Sequence, residues 1–253
     1  MDSDMQKLAF TLASATALLL GSATAQADFV GVYASADYWN VSGTSEIAKA
    51  GTPQQSFDHQ DKGLASIVVS VEHPAPLIPN ARVRHVQLKR DDSAQSSGFD
   101  FANSRFFDSR LETDLASTDL LAYYEILDNV VSVDVGLGAK LLNGDLSVTS
   151  NSIAINSQTV KIKETLPVAY ASVGGSLPFT GFSVKAEAIV GQNQDAKTSD
   201  LQAEIKYNFV DNIAVDLGLK AGYRILNIEL DNVKNTDGTF DFKGPYLGLE
   251  IHF

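Results

Sequence analysis

The chain contains no cysteine. That excludes disulfide staples, thiolate metal sites, a cysteine nucleophile and the lipid-modified N-terminal cysteine of a bacterial lipoprotein. Basic residues are in deficit, with 19 Lys and Arg against 31 Asp and Glu and a formal charge of −12. A phosphate backbone needs a basic face, so nucleic acid is not an expected partner. The four histidines are scattered and no metal-ligand spacing recurs, so no metal and no other cofactor is expected. After residue 28 no apolar run reaches the ~20 residues that a membrane-spanning helix needs.

What is present begins with an address. Lys7 precedes an apolar run from Leu8 to Leu20, which ends in small residues and the cleavage pattern Ala25-Gln26-Ala27 before Asp28. Residues 1–27 therefore read as a cleaved signal peptide, with the cut between Ala27 and Asp28, and 28–253 as a single domain. Asp2 and Asp4 sit poorly in a leader's positive head, which points to Met5 rather than Met1 as the start.

Over 28–253 apolar and polar residues alternate with period two. In the segment from Val131 to Leu142, Val131, Val133, Val135, Leu137, Ala139 and Leu141 face one way, opposite Ser132, Asp134 and Lys140. The same split runs from Leu201 to Phe209 and from Ile213 to Ile225. A soluble β-sandwich alternates too, but these runs are about ten residues long, the length of a tilted membrane strand, where soluble strands usually stop near five or six. Ten strands are expected, at 30–40, 63–73, 81–90, 114–127, 131–142, 166–177, 182–190, 200–209, 213–226 and 242–253. Eight or twelve stay open, because Arg82 to Gln87 in the third gives no clean face.

Connections alternate in length. Short links follow the even strands: Pro74 to Asn80, Asp128-Asn129, Pro178 to Gly181 and Val210 to Asn212. Long polar stretches follow most odd ones: Val41 to Lys62, Asp91 to Thr113, Asn143 to Thr165 and Asn227 to Asp241, with Gly191 to Ser199 a shorter exception. The expected fold is thus an all-β, transmembrane, antiparallel up-and-down barrel with short periplasmic turns and long extracellular loops. Aromatic residues suit the two interfaces: Tyr124, Phe182, Tyr207, Phe209 and Phe253 at periplasmic strand ends, Tyr38 and Tyr223 near the outer ends.

The last strand places Leu247, Leu249, Ile251 and Phe253 on one face. It resembles the terminal strand of outer-membrane proteins, whose final aromatic residue is read by the barrel-assembly machinery. With this last strand, the stretches Asp28-Phe29-Val30-Gly31-Val32-Tyr33-Ala34, Leu121 to Leu142 and Leu177-Pro178-Phe179-Thr180-Gly181 resemble the small outer-membrane barrels of γ-proteobacteria grouped as OMP_w_GlyGly. This resemblance implies a fold and a place in the outer membrane of a Gram-negative bacterium. It implies no reaction.

Polar positions expected to face the lumen are Asp37, Ser70, Glu72, Asp119, Glu125, Asp134, Lys140, Lys185, Glu187, Glu204, Lys206, Asp216, Lys220, Arg224 and Glu250. A lumen packed with ion pairs is favoured over an open pore wall, because barrels of eight strands are just filled by side chains and ten add modest room. No catalytic residue is assigned. His73 and His252 fall at periplasmic ends, His85 on the ambiguous third strand, and His59 with Asp61 in the first outer loop, none with a convincing partner. Asp91-Asp92 reads as solvated loop rather than as a divalent-ion site. The expected role is a scaffold or a narrow passive conduit for small polar solutes. Alternatives are a surface binding module acting through the outer loops and, further off, a hydrolase or acyltransferase using His59 or His85. Expected partners are outer-membrane lipid, lipopolysaccharide and the assembly machinery, around a monomer.

Overall fold

A computed structural model describes residues 30–95, 98–150, 157–212 and 215–253; the side chains of His59 and Asp211 are not described. The expected leader, with Ala27 and Asp28, lies outside the described residues. The chain forms a closed antiparallel barrel of ten strands. In chain order these are β1 (Gly31–Lys49), β2 (Gln55–Glu72), β3 (Asn80–Ala94), β6 (Ser109–Asp128), β7 (Val131–Ser150), β8 (Ser157–Ser176), β9 (Phe182–Gln192), β10 (Ala196–Asp211), β11 (Asp216–Val233) and β12 (Thr236–His252). Two short strands, β4 (Phe99–Phe101) and β5 (Ser104–Phe106), make a separate hairpin between β3 and β6. The barrel closes by β1 pairing with β12, where Val32 and Phe253 exchange main-chain hydrogen bonds at 3.1 and 3.0 Å.

Following cross-strand partners once around, from Tyr33 through Ser70, Arg82, Leu121, Gly138, Val168, Gly191, Thr198, Ile228 and Phe240, returns to β1 at Ser45, twelve residues beyond the start. Such a stagger tilts the strands by roughly 40°. Short turns lie at the lower end, with Val30 and Phe253. Ile78 N bonds Ala75 O, and Thr180 N bonds Leu177 O, within two of these turns.

Each tall strand changes character halfway up. On β7, Val131, Val135 and Leu137 are exposed on the outside, Leu137 by 71%. Above Leu141 the outside turns polar with Asn143, Asp145, Ser147 and Thr149, while Leu142, Leu146 and Val148 turn inward and are buried. On β11 Leu219, Tyr223 and Ile225 are outside, whereas Leu226, Ile228 and Leu230 are inside. β12 repeats the switch from exposed Leu249 and Leu247 to buried Tyr246, Phe242 and Phe240. From Val131 to Leu141 the apolar belt is about 25 Å high, at ~3.3 Å per residue and that tilt.

The inversion corrects the expected loops. Most of Val41 to Lys62, Asp91 to Thr113, Asn143 to Thr165 and Asn227 to Asp241 is strand, raising the wall about 20 Å above the belt. Their sequence looks loop-like because the apolar phase shifts by one residue, so neither face alternates across the junction. The ambiguous third segment is a full strand. On β3 Arg82, Arg84 and Arg90 point inward, and His85, Gln87 and Lys89 lie outside above Val83, so the usual apolar and polar roles are exchanged.

In the raised part, the head, the ladder opens at two seams. β2 and β3 pair only from Ser66–Val86 down to Val71–Ala81, and β8 and β9 only from Val168–Gly191 down to Ser176–Ser183. One wall is then β3, β6, β7 and β8, and the other β10, β11, β12, β1 and β2. Both contribute to one apolar core, which joins Leu88, Leu111, Leu115 and Leu146 with Val41, Ile47, Phe57, Ile228 and Phe240. Gly43 and Gly144 (φ 141° and 155°) let the walls bend inward, since a Cβ there would lie 1.8 Å from Asp241 O and 1.9 Å from Asp114 O. The β4–β5 hairpin completes the core with Phe99, Phe101 and Phe106; the Phe99 ring packs edge-on to Phe57 at 6.0 Å.

The seam between β2 and β3 is stitched by Arg90, which is buried and donates to the carbonyls of Val41 and Gln60, with Asp92 3.6 Å away. Elsewhere on the head, Arg110 donates to the Asp91 carboxylate from an exposed position and holds Asp91 below the ordinary aspartate value of 3.8, against a smaller opposing effect of burial. A depressed carboxylate stabilises the head above that ordinary value, and the contribution is lost as pH falls through the lowered one. Arg110→Ala should return Asp91 to the ordinary range in a carboxylate-carbon NMR titration. An unmoved titration would mean that the pair does not form in solution.

Candidate functional site: the ionic lumen

Behind the apolar belt the lumen is filled by charge in two tiers. The upper tier centres on Asp200, which is fully buried and takes a two-pronged contact from Arg224, Nε to Oδ1 at 2.9 Å and Nη2 to Oδ2 at 2.7 Å. Arg84 Nη2 lies 3.2 Å and Lys140 Nζ 3.5 Å from the same Oδ2. Arg84 spreads its other donors over Asp119 (3.2 Å), Glu187 (2.9 Å) and the Gln202 side-chain oxygen (2.9 Å). Lys140 also reaches Asp119 at 2.6 Å, and Arg82 reaches Glu187 at 2.9 Å. The planar fork of arginine suits this sharing, because several carboxylates can each take a separate N–H. The Arg224 guanidinium carbon stands over the Trp39 ring, 4.7 Å from its centroid, and Trp39 Nε1 donates to Gly244 O at 3.1 Å.

The lower tier centres on Lys220, 3.1 Å from Asp37, 3.7 Å from Glu204 and 3.8 Å from Glu250. Lys206 pairs with Glu250 at 2.7 Å, and the Tyr246 hydroxyl donates to Glu204 at 2.6 Å. Lys185 stands 3.9 Å from Asp134, which also accepts from Ser172 at 2.5 Å. Four cations face three anions above and three face four below, so the two tiers together are neutral. That balance lets buried charges be retained, because none is left without a counter-charge.

Of the expected lumen residues, Asp134, Lys140, Lys185, Glu187, Glu204, Lys206, Lys220 and Arg224 all enter these tiers, as do Asp37, Asp119 and Glu250. Asp216 does not: it sits at the lower rim, 3.3 Å from His252, whose ring stacks on Tyr33. Ser70 faces the interior between the tiers and the mouth, and Glu72 and Glu125 lie at the mouth, where Glu72 accepts from the Tyr123 hydroxyl at 2.6 Å. Arg82, Arg84, Asp200 and Gln202 are the members that sequence reasoning did not single out. Asp200 was legible in principle, as it continues the polar phase of Gln202, Glu204 and Lys206.

The histidines are dispersed. His73 contacts Pro79 O and Ala75 N in the lower turn, and His85 contacts Thr118 on the outer wall. Among the described residues no group of three or more His, Asp and Glu side chains is placed to hold a metal ion. A void of about 10 Å³ lies among the ion pairs, lined by Asp37 of the lower tier, Arg84 and Arg224 of the upper, and Trp39, Ser66, Gln202 and Tyr246. An open polar depression of about 270 Å³ lies outside, between the β9–β10 turn and the tops of β11 and β12.

Leu247, Leu249 and Ile251 lie on the outer face of β12, followed by exposed Phe253. A closed ten-stranded antiparallel barrel with an apolar girdle and an ionic interior is the class that these features define. Neither a protein-family model nor a curated protein sequence matches the chain. Among solved structures it is similar to the outer membrane protease OmpT from Escherichia coli, at 10% identity and a TM-score of 0.46 over 91% of this chain and 99% of that one. It is also similar to the translocator domain of the autotransporter NalP from Neisseria meningitidis, at 13% identity and a TM-score of 0.43 over 99% and 95%. For the Neisserial surface protein NspA the values are 14% and 0.33 over 90% and 99%.

Proposed function

We propose that this protein is an outer-membrane barrel of a Gram-negative bacterium that conducts nothing and serves as a closed scaffold, holding a rigid β head above the outer leaflet. The observation that carries the reading is the double closure of the lumen. Ion pairs fill it behind the belt, an apolar core fills it above, and the void among the ion pairs beside Arg84 and Arg224 is about 10 Å³, the size of one water at most. A solute path would need both to open.

The belt supports the membrane setting. Its height matches the ~25 Å apolar band of outer-membrane barrels, and its exposed Val, Leu, Ile and aromatic residues would otherwise face water. The resemblance to the OMP_w_GlyGly barrels and the A-x-A pattern at Ala27 point the same way, with export to the periplasm, delivery of the Phe253 strand to the assembly machinery and lipopolysaccharide around a monomeric wall. This favours the scaffold over the narrow conduit.

Two measurements test the proposal. Fractionation should place the protein in the outer membrane with heat-modifiable gel mobility; a water-soluble mature protein would overturn the setting. In planar bilayers the folded protein should give no steady current, and discrete, reproducible conductance steps would overturn the closed lumen.

A further inference from the structure

The seam beside β8 leaves a strand edge without a ladder partner among the described residues. β8 continues upward from its last β9 partner, Val168, to Ser157. The ladder stops at Pro167, which has no N–H to offer. Above it, the Thr165 carbonyl points toward the missing neighbour, because Asn193 Nδ2, from the β9–β10 turn, donates to it at 3.2 Å. Main-chain groups alternate sides along a strand, so those of Lys163, Lys161 and Thr159 point the same way. Among the described residues they meet no ladder partner on that side, whereas toward β7 the strand is paired along its length, with Asn143, Asp145 and Ser147 as their register neighbours.

We propose that this edge takes up an extended acidic peptide as an added strand, with its backbone pairing to Lys163, Lys161 and Thr159. This recognition mode draws affinity from main-chain hydrogen bonds and selectivity from alternate side chains. Lys161 and Lys163 are both exposed, and neither is within ion-pair distance of a carboxylate among the described residues, although Asp145 is the register partner of Lys161. Every second residue of the added strand would stand beside these lysines, so carboxylates there are favoured and lysines are not.

The same charges argue against a second copy of the chain as occupant, since two β8 edges would set lysine against lysine. Two barrels inserted the same way in one membrane also run β8 in the same sense relative to the bilayer normal, so a two-fold axis along that normal cannot pair the edges antiparallel. The inference rests on the reading that the head stands outside the bilayer, where peptides can reach it.

The test uses the full mature chain folded in detergent micelles and a fluorescent, end-capped peptide that alternates glutamate with valine, followed by anisotropy. Saturable binding is expected, with a roughly tenfold loss for Lys161→Pro, which removes one edge N–H and leaves the β7 ladder intact. The double variant K161E/K163E should reverse the preference toward a lysine–valine peptide. Should the proline variant fail to fold, N-methylation of alternate peptide amides on the wild-type protein asks the same question. Methyl groups in one phase should abolish binding, and those in the other should leave it unchanged. No saturable binding, or binding indifferent to the phase of methylation, would overturn the proposal. A failure of outer-membrane fractionation would overturn the setting and leave this micelle measurement unaffected.

Discussion

Asp200→Ala should destabilise the folded barrel by about 3–5 kcal/mol, the usual cost of removing one partner from a buried ionic cluster. Asp200 is the shared anion of Arg224, Arg84 and Lys140, all of them buried. Without it Arg224 loses both prongs of its contact and keeps only the Trp39 face. The tier's four cations are then left with Asp119 and Glu187, and the neutrality of the two tiers is gone. Asp200→Asn should cost less, because the side-chain oxygen can still accept from Arg224 while the charge is lost. Urea titration of folding into lipid vesicles, read by the heat-shifted gel band, measures both. A loss below about 1 kcal/mol for Asp200→Ala would mean that water enters the tier and solvates the cations, which would also undo the sealed lumen.

The same cluster shows why part of the interior escaped sequence reasoning. Lys220, Lys206 and Glu204 stand opposite a clean apolar face, so their inward orientation follows from period two alone. Arg82 and Arg84 do not, because outward His85 and Gln87 on β3 lie at and above the top of the belt and supply no apolar face to set them against. That Arg84 reaches Asp200, and Arg82 Glu187, is a matter of register around a tilted barrel, which no single strand's pattern contains.

The belt was legible and the head was not, for one physical reason. A strand that leaves lipid and enters water must exchange its faces, because lipid and a protein core both select apolar side chains on opposite sides of the wall. The exchange leaves a mark in the sequence: two adjacent large apolar residues, one outside and one inside. Tyr38-Trp39, Leu141-Leu142, Ile225-Leu226 and Tyr246-Leu247 are such doublets, each with one exposed or half-exposed member and one buried member. Taken as strand ends, they make the chain beyond them look like polar loops. Taken as phase shifts, they locate the upper boundary of the belt on four strands.

That boundary supports a paired prediction on a single strand face. Leu137 and Ser147 both point outward from β7, ten residues apart, with Leu137 in the middle of the belt and Ser147 on the head, where its hydroxyl is 2.8 Å from that of Thr159. Leu137→Arg should cost about 2–4 kcal/mol when the barrel folds into a bilayer, the penalty for a cation at the lipid midplane, and Ser147→Arg should cost about 1 kcal/mol or less. The difference arises from the medium outside the wall, since each side chain leaves the interior packing untouched. It should shrink in detergent micelles, whose thinner and more deformable apolar layer lets the guanidinium reach water. Equal costs at the two positions in a bilayer would show that the girdle around Leu137 meets water or protein, and the membrane placement of the barrel would fall with it.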